Sequence, residues 1–436
     1  MREDSGPAGY QHPDGPKIDL EISLLKSAKP ALRKGYLLTV PGGPGVTGLD
    51  HPSELVRQLP AAVTDAYDLV GLDDRGVGQS TPVKCGLSDA DRAAEKGFPF
   101  PSPNGDISSS LSDARRIADT CAQNAGDYLS YLTTANIARD LDHIRQTLGV
   151  PRISFYGTSY ATYLGEVYAT MFSSHTDRMV LDSVDPPGGV KQALNLDGLG
   201  AEQTFPDFAK WLAAQDSTLH FGTTASQVRA TYFRLAAQLD RTPKKTPSGR
   251  VLDGNGLRAV TDISLTGPRY YPLASAVWQF AAAPAAKAAV PSTTLPTVVP
   301  DNLVSAQDAV ICGDVAWSRD PATYATQVRV DRALFPLTNG MPGNVWPCAF
   351  WHYPPREPAV RPNTNGPRNI QLLQNLRDPF TSYMGARQTL AAFGRRAAMV
   401  SIDAGGHGVN LANPCVSSAL SAFLLDGRPV ESRCPQ

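Results

Sequence analysis

The stretch ISFYGTSYATYLGEVYATM, residues 153–171, decides the fold. An apolar run through Ile153 and Phe155 meets Gly157-Thr158-Ser159, and a helical pattern opens at Tyr160. A serine at a sharp turn between strand and helix stands clear of the backbone, and small neighbours let the chain make that turn. The usual pattern is Gly-x-Ser-x-Gly; here Ala161 fills the last position. Its methyl narrows the approach of helix to strand without demanding a positive φ, so the turn is expected to survive. A serine hydroxyl is a weak nucleophile until a base takes its proton. The rest of the chain must therefore supply that base.

Upstream, TTANIARDLDHIRQTLG (133–149) places Ile137, Leu141, Ile144 and Leu148 on one helical stripe. Thr133 or Thr134 is its expected N-cap and Gly149 its stop. KIDLEISLLK (17–26) alternates Ile18, Leu20 and Ile22 as a half-buried strand. GYLLTVPGGPG (35–45) and AYDLVGLDDRGVGQS (66–80) each read as a buried strand feeding a glycine-rich turn, and EKGFPFPSPNGDISSS (95–110) as a surface loop. RMVLDSV (178–184) is a further strand. Strands alternating with helices predict an α/β protein built on a mostly parallel sheet.

After DPPGG (185–189) the alternation stops. Helical patches such as FPDFAKWLAAQ (205–215) and ASQVRATYFRLAAQL (225–239) are separated by RTPKKTPSGR (241–250) and the Ala/Pro-rich AAAPAAKAAVPSTTLPTVVP (281–300). YPPREPAVRPNTNGP (353–367) reads as a return linker. The strand NIQLLQNL, the helix SYMGARQTLAAFG, the strand RAAMVSID and a helix near CVSSALSAFLL then resume the α/β pattern. The expected organisation is a core in two parts, 1–189 and 366–436, with a mainly helical cap, 190–365, inserted between them.

A chain of 436 residues with 42% hydrophobic and 19% charged residues suits a globular protein of one large domain with an insertion, or of two domains. The net charge of -1 gives no reason to expect nucleic acid or an anionic membrane as partner. No apolar run is long enough to cross a bilayer. The six cysteines, Cys85, Cys121, Cys312, Cys348, Cys415 and Cys434, form neither a CxxC nor a Cys/His cluster, so no zinc or other cofactor is expected. Six cysteines allow 15 pairings, of which the nearest-neighbour set would staple three separate segments. Disulfides belong to oxidising compartments, so a secreted, extracellular protein is expected. The opening stretch MREDSGPAGYQHPDGPK lacks the apolar segment of a signal peptide, so the signal sequence is expected to be absent from this chain.

Around Ser159 the chemistry needs oxyanion donors, a base and an acid. The N–H of Tyr160 at a helix start is one expected donor. The loop VPGGPG (40–45) offers the other, with Gly43 preferred because Pro44 has no N–H. Of the seven histidines, His407 lies on a glycine-rich loop after a strand, in VSIDAGGHGVN (400–410), whereas His352 among aromatics reads as packed in the cap. His12, His51, His143, His175 and His220 have no strand-end context. Asp378 in LLQNLRDPFT (372–381) is the expected orienting acid, preferred over Asp403, which lies on the strand feeding the histidine's own loop. The order Ser159, Asp378, His407 is that of α/β-hydrolases rather than of chymotrypsin or subtilisin.

With these residues in place the chain resembles the α/β-hydrolase peptidases that include proline iminopeptidase, and more closely the secreted tripeptidyl aminopeptidases of Streptomyces and related actinobacteria. VPGGPGVTG, YDLVGLDDRGVGQST, GTSYATYLGEVYATMF, RMVLDSVDPP, RDPFTSYMGA and GGHG carry the resemblance. The six cysteines are similar to the family's arrangement as well. Ala161, Val46 and the acid strand QNLRDPFT depart from the usual pattern. The resemblance implies an exopeptidase that removes short peptides, tripeptides foremost, from substrates with a free N-terminus, without a cofactor. An esterase or lactonase on the same triad is the alternative, because acyl transfer to serine does not distinguish amide from ester. Recognising a substrate ammonium calls for an anionic group, and Glu202, Asp207 and Asp314 are the expected candidates. Asp73 and Arg75 are expected to serve the turn structurally; Asp182 and Asp185 follow a core strand, with a structural role expected and lining of the site as the alternative.

Overall fold

The computed structural model describes residues 2–11, 13–93, 99–246, 249, 251–284 and 298–436. His12, most of the Ala/Pro-rich 281–300 stretch and parts of the 95–110 and 241–250 segments lie outside the described residues.

Nine strands form one sheet. They are β1 (Arg2–Pro7), β2 (Lys17–Leu25), β3 (Gly35–Val40), β4 (Tyr67–Leu72), β5 (Ile153–Thr158), β6 (Thr176–Asp182), β7 (Ile370–Arg377), β8 (Ala397–Gly405) and β9 (Ser432–Cys434). Their spatial order is β1-β2-β4-β3-β5-β6-β7-β8-β9. The pairs β1–β2 and β2–β4 are antiparallel; every other neighbouring pair is parallel. The inner strands are buried almost throughout: Leu37, Leu38, Leu69, Val70, Phe155, Val180, Leu372 and Val400 are all shielded. Continuous apolar runs of this kind mark parallel strands covered on both faces.

The helices that carry the argument are α1 (Ser108–Ala125), α2 (Thr134–Thr147), α3 (Tyr160–Met171), α4 (Val190–Ala213), α5 (Ala225–Arg241), α6 (Gly254–Ser264), α7 (Tyr271–Ala282), α8 (Asp301–Asp314), α9 (Pro321–Leu334), α10 (Tyr383–Phe393) and α11 (Pro414–Asp426). Thr133 caps α2 by accepting from the N–H of Asn136. One apolar layer joins α1, α2 and α3 to the sheet through Ile117, Ile137, Leu141, Leu164 and Val167. The opposite layer packs Val416, Leu420, Phe423 and Leu424 of α11 against Leu37, Leu69 and Leu373.

The inserted stretch has two packing partners. Phe205, Phe208, Tyr232, Leu257 and Trp278 build an apolar cluster of their own from α4, α5, α6 and α7. Trp278 lies at its centre, its ring edge-on to Phe208 and its Nε1 donating to Thr261 Oγ1 at 2.9 Å. Helix α8 behaves differently: Ala306, Ala309, Val310 and Ile311 join the apolar layer of α1 to α3. Among the described residues no helix is long and apolar enough to cross a membrane.

Candidate active site

Parallel sheets gather ligands at the carboxyl ends of their strands. The loop after β3, the turn after β5 and the loops after β7 and β8 all open on that edge. Ser159 occupies the N-cap of α3 with φ 61° and ψ -132°, a conformation that a non-glycine residue holds at a cost of about 1–3 kcal/mol. The surroundings impose it. The Ser159 N–H donates to the Asp182 carbonyl at 3.0 Å, and its own carbonyl accepts from the Thr162 N–H and Oγ1, each at 2.7 Å.

The glycine-rich loop lies against this turn. Gly42 has φ 108°, and a Cβ there would fall 2.5 Å from the Thr158 carbonyl oxygen and 3.0 Å from Ser159 Cβ. Only glycine fits. Gly43, next along the loop, lines one cavity of about 200 Å³ together with Ser159, Tyr160, Thr381 and His407. Tyr160 opens α3, and the first N–H groups of a helix have no partner within it and attract negative charge.

The structure brings Asp378 to His407. His407 Nδ1 lies 3.0 Å from both Asp378 oxygens. Asp378 is fully buried and also accepts from the N–H groups of Phe380 and Thr381 and from Thr381 Oγ1. These donors hold the carboxylate in one orientation towards the imidazole. Burial opposes charge on His407, but Asp378, with smaller contributions from Asp182 and Asp185, outweighs it and raises the imidazole above its ordinary value. Asp182 anchors the histidine loop by accepting from Val409 N–H at 3.0 Å and from Tyr156 OH at 2.6 Å. Asp403 is elsewhere, bound to Arg377 and Arg433.

The remaining walls come from α4, α8 and their neighbours: Val190, Ala193, Leu194, Asp197, Gln307 and Ile311. Two acids, Asp185 and Asp197, line the cavity, and among the described residues no Lys or Arg does. Burial raises Asp185 to about 7. Burial, then the charges of Asp262 and Asp378, push Asp197 well above the usual carboxylate range. Asp262 on α6 is raised by burial too. Among the described residues Asp197 Oδ1 and both oxygens of Asp262 have no hydrogen-bond partner. Sequence reasoning missed this pair. The signal was there, since both sit in apolar surroundings, ALNLDGLGA and RAVTDISL, unlike the usual solvated acid.

The carboxylates expected to bind substrate are placed otherwise. Glu202 pairs with Arg229 at 2.8 Å and accepts from Leu337 N–H. Asp207 pairs with Arg377 at 2.7 Å. Asp314 accepts from Thr134 N–H and Oγ1 at 2.7 and 2.5 Å, and burial raises it to about 7. None of these three lines the cavity that holds Ser159. His352 is half exposed and faces Asp119 on α1 at 2.7 Å. Arg75 and Asp140 form a fully buried pair, while Asp73 gathers the N–H groups of Gly48, Leu49 and Gln79. The cysteines pair as Cys85–Cys121, Cys312–Cys348 and Cys415–Cys434.

Two family models match the chain, one described as "alpha/beta hydrolase fold" over residues 35–279 and one as "TAP-like protein" over residues 338–434. A tripeptidyl aminopeptidase from Streptomyces lividans is 33% identical across 97% of this chain and 80% of its own length. The serine protease Hip1 of Mycobacterium tuberculosis is 25% identical across 98% of this chain and 86% of its own. A carboxylesterase B from the same organism is 29% identical across 99% and 85%. Matches that run through both halves of the sheet and the insertion between them assign the whole chain: it belongs to the α/β-hydrolase family, as a serine hydrolase of the tripeptidyl-aminopeptidase-like group.

Proposed function

We propose that the protein is a secreted exopeptidase that releases short peptides, tripeptides foremost, from free N-termini through an acyl-enzyme on Ser159. His407 takes the Ser159 proton as Oγ attacks the scissile carbonyl. The N–H groups of Gly43 and Tyr160 hold the oxyanion, and Asp378 accepts from Nδ1–H to fix the tautomer and balance the imidazolium. His407 then protonates the leaving amine, and water hydrolyses the ester by the same route in reverse. A preorganised oxyanion donor of this kind contributes roughly 10²–10³ in rate. The three disulfides support export.

The observation that carries the peptidase reading is the acidity of the cavity. Asp197, a wall residue of the Ser159 cavity, leaves Oδ1 unpartnered, and the charge of buried Asp262 acts on it. A peptide N-terminus offers N–H donors and one positive charge, which suits an unpartnered carboxyl oxygen on a cavity-lining acid. A neutral ester offers neither. The insertion walls the cavity through α4, so a chain end fits better than the middle of a polypeptide. The division of the chain into a core, 1–189 with 366–436, and a cap, 190–365, is part of the same reading.

The test compares an unblocked tripeptide amide, its N-acetyl derivative and a short acyl ester, with Ser159→Ala as control. Acetylation removes charged hydrogen bonds and is expected to lower kcat/KM roughly 10²-fold. Ester hydrolysis with no cleavage of the unblocked peptide would establish the esterase alternative instead.

A further inference from the structure

The Tyr160 side chain does not enter the mechanism above, yet it is held by a chain of hydrogen bonds that ends on α8. Asp314 is the last residue of α8. Its carboxylate accepts from Thr134 at both N–H and Oγ1. Because the Thr134 hydroxyl proton is committed to Asp314, the 2.8 Å contact between Thr134 Oγ1 and Tyr160 OH has Tyr160 as donor. Direction is therefore fixed along the relay from Tyr160 OH through Thr134 to Asp314. Tyr160 itself is almost fully buried, and the relay pins the residue that carries one of the oxyanion donors.

The same helix touches the other donor's loop. Gly45 packs so closely on α8 that a Cβ there would fall 2.7 Å from the Leu303 carbonyl oxygen and 3.2 Å from the Gln307 nitrogen. Both ends of α8 are tied down. Asp301 accepts from the N–H groups of Gly86 and Leu87, Asn302 bonds Gly76, Gly78 and Val83, and the Cys312–Cys348 disulfide holds the last turn. A rigid element thus abuts both places where the oxyanion amides originate.

We propose that α8 is an oxyanion brace and that Asp314 is a positioning residue for catalysis, acting on the Tyr160 amide through Thr134 and the Tyr160 hydroxyl. This rests on the Ser159 hydrolase reading. Misplacing a preorganised donor by a fraction of an ångström weakens it in the transition state more than in the ground state, so the loss falls on kcat rather than KM.

The experiment measures kcat and KM for an unblocked tripeptide amide, together with the affinity of a tripeptide boronic acid, which forms a tetrahedral adduct on the serine. The variants are Tyr160→Phe, Asp314→Ala, Asp314→Asn and the Tyr160→Phe/Asp314→Ala double variant. Tyr160→Phe removes one oxygen and keeps both the amide and the ring, so it decides the matter even if Asp314→Ala does not fold. Expected is a loss of about tenfold in kcat for Tyr160→Phe and for Asp314→Ala, an equal loss of boronate affinity and an unchanged KM. Asp314→Asn retains one acceptor and falls between. The double variant is no worse than either single one, as members of one relay are non-additive. Unchanged kcat in Tyr160→Phe, a loss confined to melting temperature, or additive losses would each overturn the brace. Absence of Ser159-dependent hydrolysis in the unaltered protein would instead overturn the underlying reading, and the brace with it.

Discussion

The backbone N–H of His407 donates to the carbonyl oxygen of Thr266 at 2.8 Å. The loop that presents the imidazole therefore hangs from the helical insertion, not from the sheet alone. The acid is tied to the insertion as well. Arg377, the residue before Asp378, bonds Asp207 on α4, and its carbonyl accepts from Thr204 Oγ1 at 2.9 Å. Acid and base share their supports with the walls of the cavity.

Loosening that support is expected to reach the chemistry. Arg377→Ala removes the links to Asp207 and Asp403 without touching the triad. We expect kcat/KM to fall about tenfold through displacement of Asp378, with a modest drop in melting temperature. Steady-state kinetics beside thermal unfolding checks this; a lower melting temperature with unchanged kcat/KM would separate the clamp from catalysis.

The pH profile follows from His407. Only the neutral imidazole takes the Ser159 proton, so kcat/KM falls as pH drops through the His407 pKa. That pKa is held above 6.5, chiefly by Asp378 acting against burial. The acid limb is therefore expected above 6.5 in the unaltered enzyme. In Asp378→Asn it moves to lower pH on top of a large rate loss. A limb that stays in place in this variant would mean another group controls it.

Asp197→Asn is expected to raise KM for an unblocked tripeptide roughly tenfold while leaving the acyl ester untouched, because only the ammonium partner is weakened. The two substrates measured on one preparation read this directly. Equal effects on both would move the ammonium site elsewhere.

Stability should respond to buried acid in the opposite direction to activity. Burial holds Asp308 on α8 at about 7, against about 4 in an unfolded chain. The folded state binds the extra proton between those values, so its stabilising contribution is complete below about pH 4 and lost as pH rises through about 7. Asp308→Asn is expected to melt higher than the parent at pH 8, an advantage that shrinks towards pH 5. A constant difference across that range would contradict the assignment.

The elbow shows how far the sequence could be read. Ala161, where glycine is usual, is fully buried without disturbing the turn. The close approach is made at Gly157 in β5 instead: a Cβ there would fall 2.5 Å from Phe155 Cε1 and 2.7 Å from the Ala161 carbonyl. Ala161→Gly should accordingly cost about 1 kcal/mol of stability with activity kept within tenfold, whereas Gly157→Ala should cost about 3 kcal/mol from overpacking. Denaturant unfolding of the two variants distinguishes them.

The inner strands, the α2 cap and the placing of Asp378 against His407 on the cavity of Ser159 were legible because each depends on short-range pattern: apolar runs, a capping threonine, glycine loops at strand ends. Other features depend on long-range partners. Strands β1 and β9 are short and mostly polar, and only pairing with β2 and β8 defines them. Helix α8 reads as one more helix of the insertion, and its apolar face does not say that its partner is the core. Glu202 and Asp314 looked available because the arginine and threonine that occupy them lie 27 and 180 residues away in the chain.

The most direct measurement is the intact mass of the protein, acid-quenched during turnover of an activated ester of an unblocked tripeptide. The account predicts one tripeptidyl adduct per chain, mapped to Ser159, formed in a burst equal to the enzyme concentration and absent from Ser159→Ala. An adduct on another residue, or turnover with no adduct and no loss in Ser159→Ala, would contradict it.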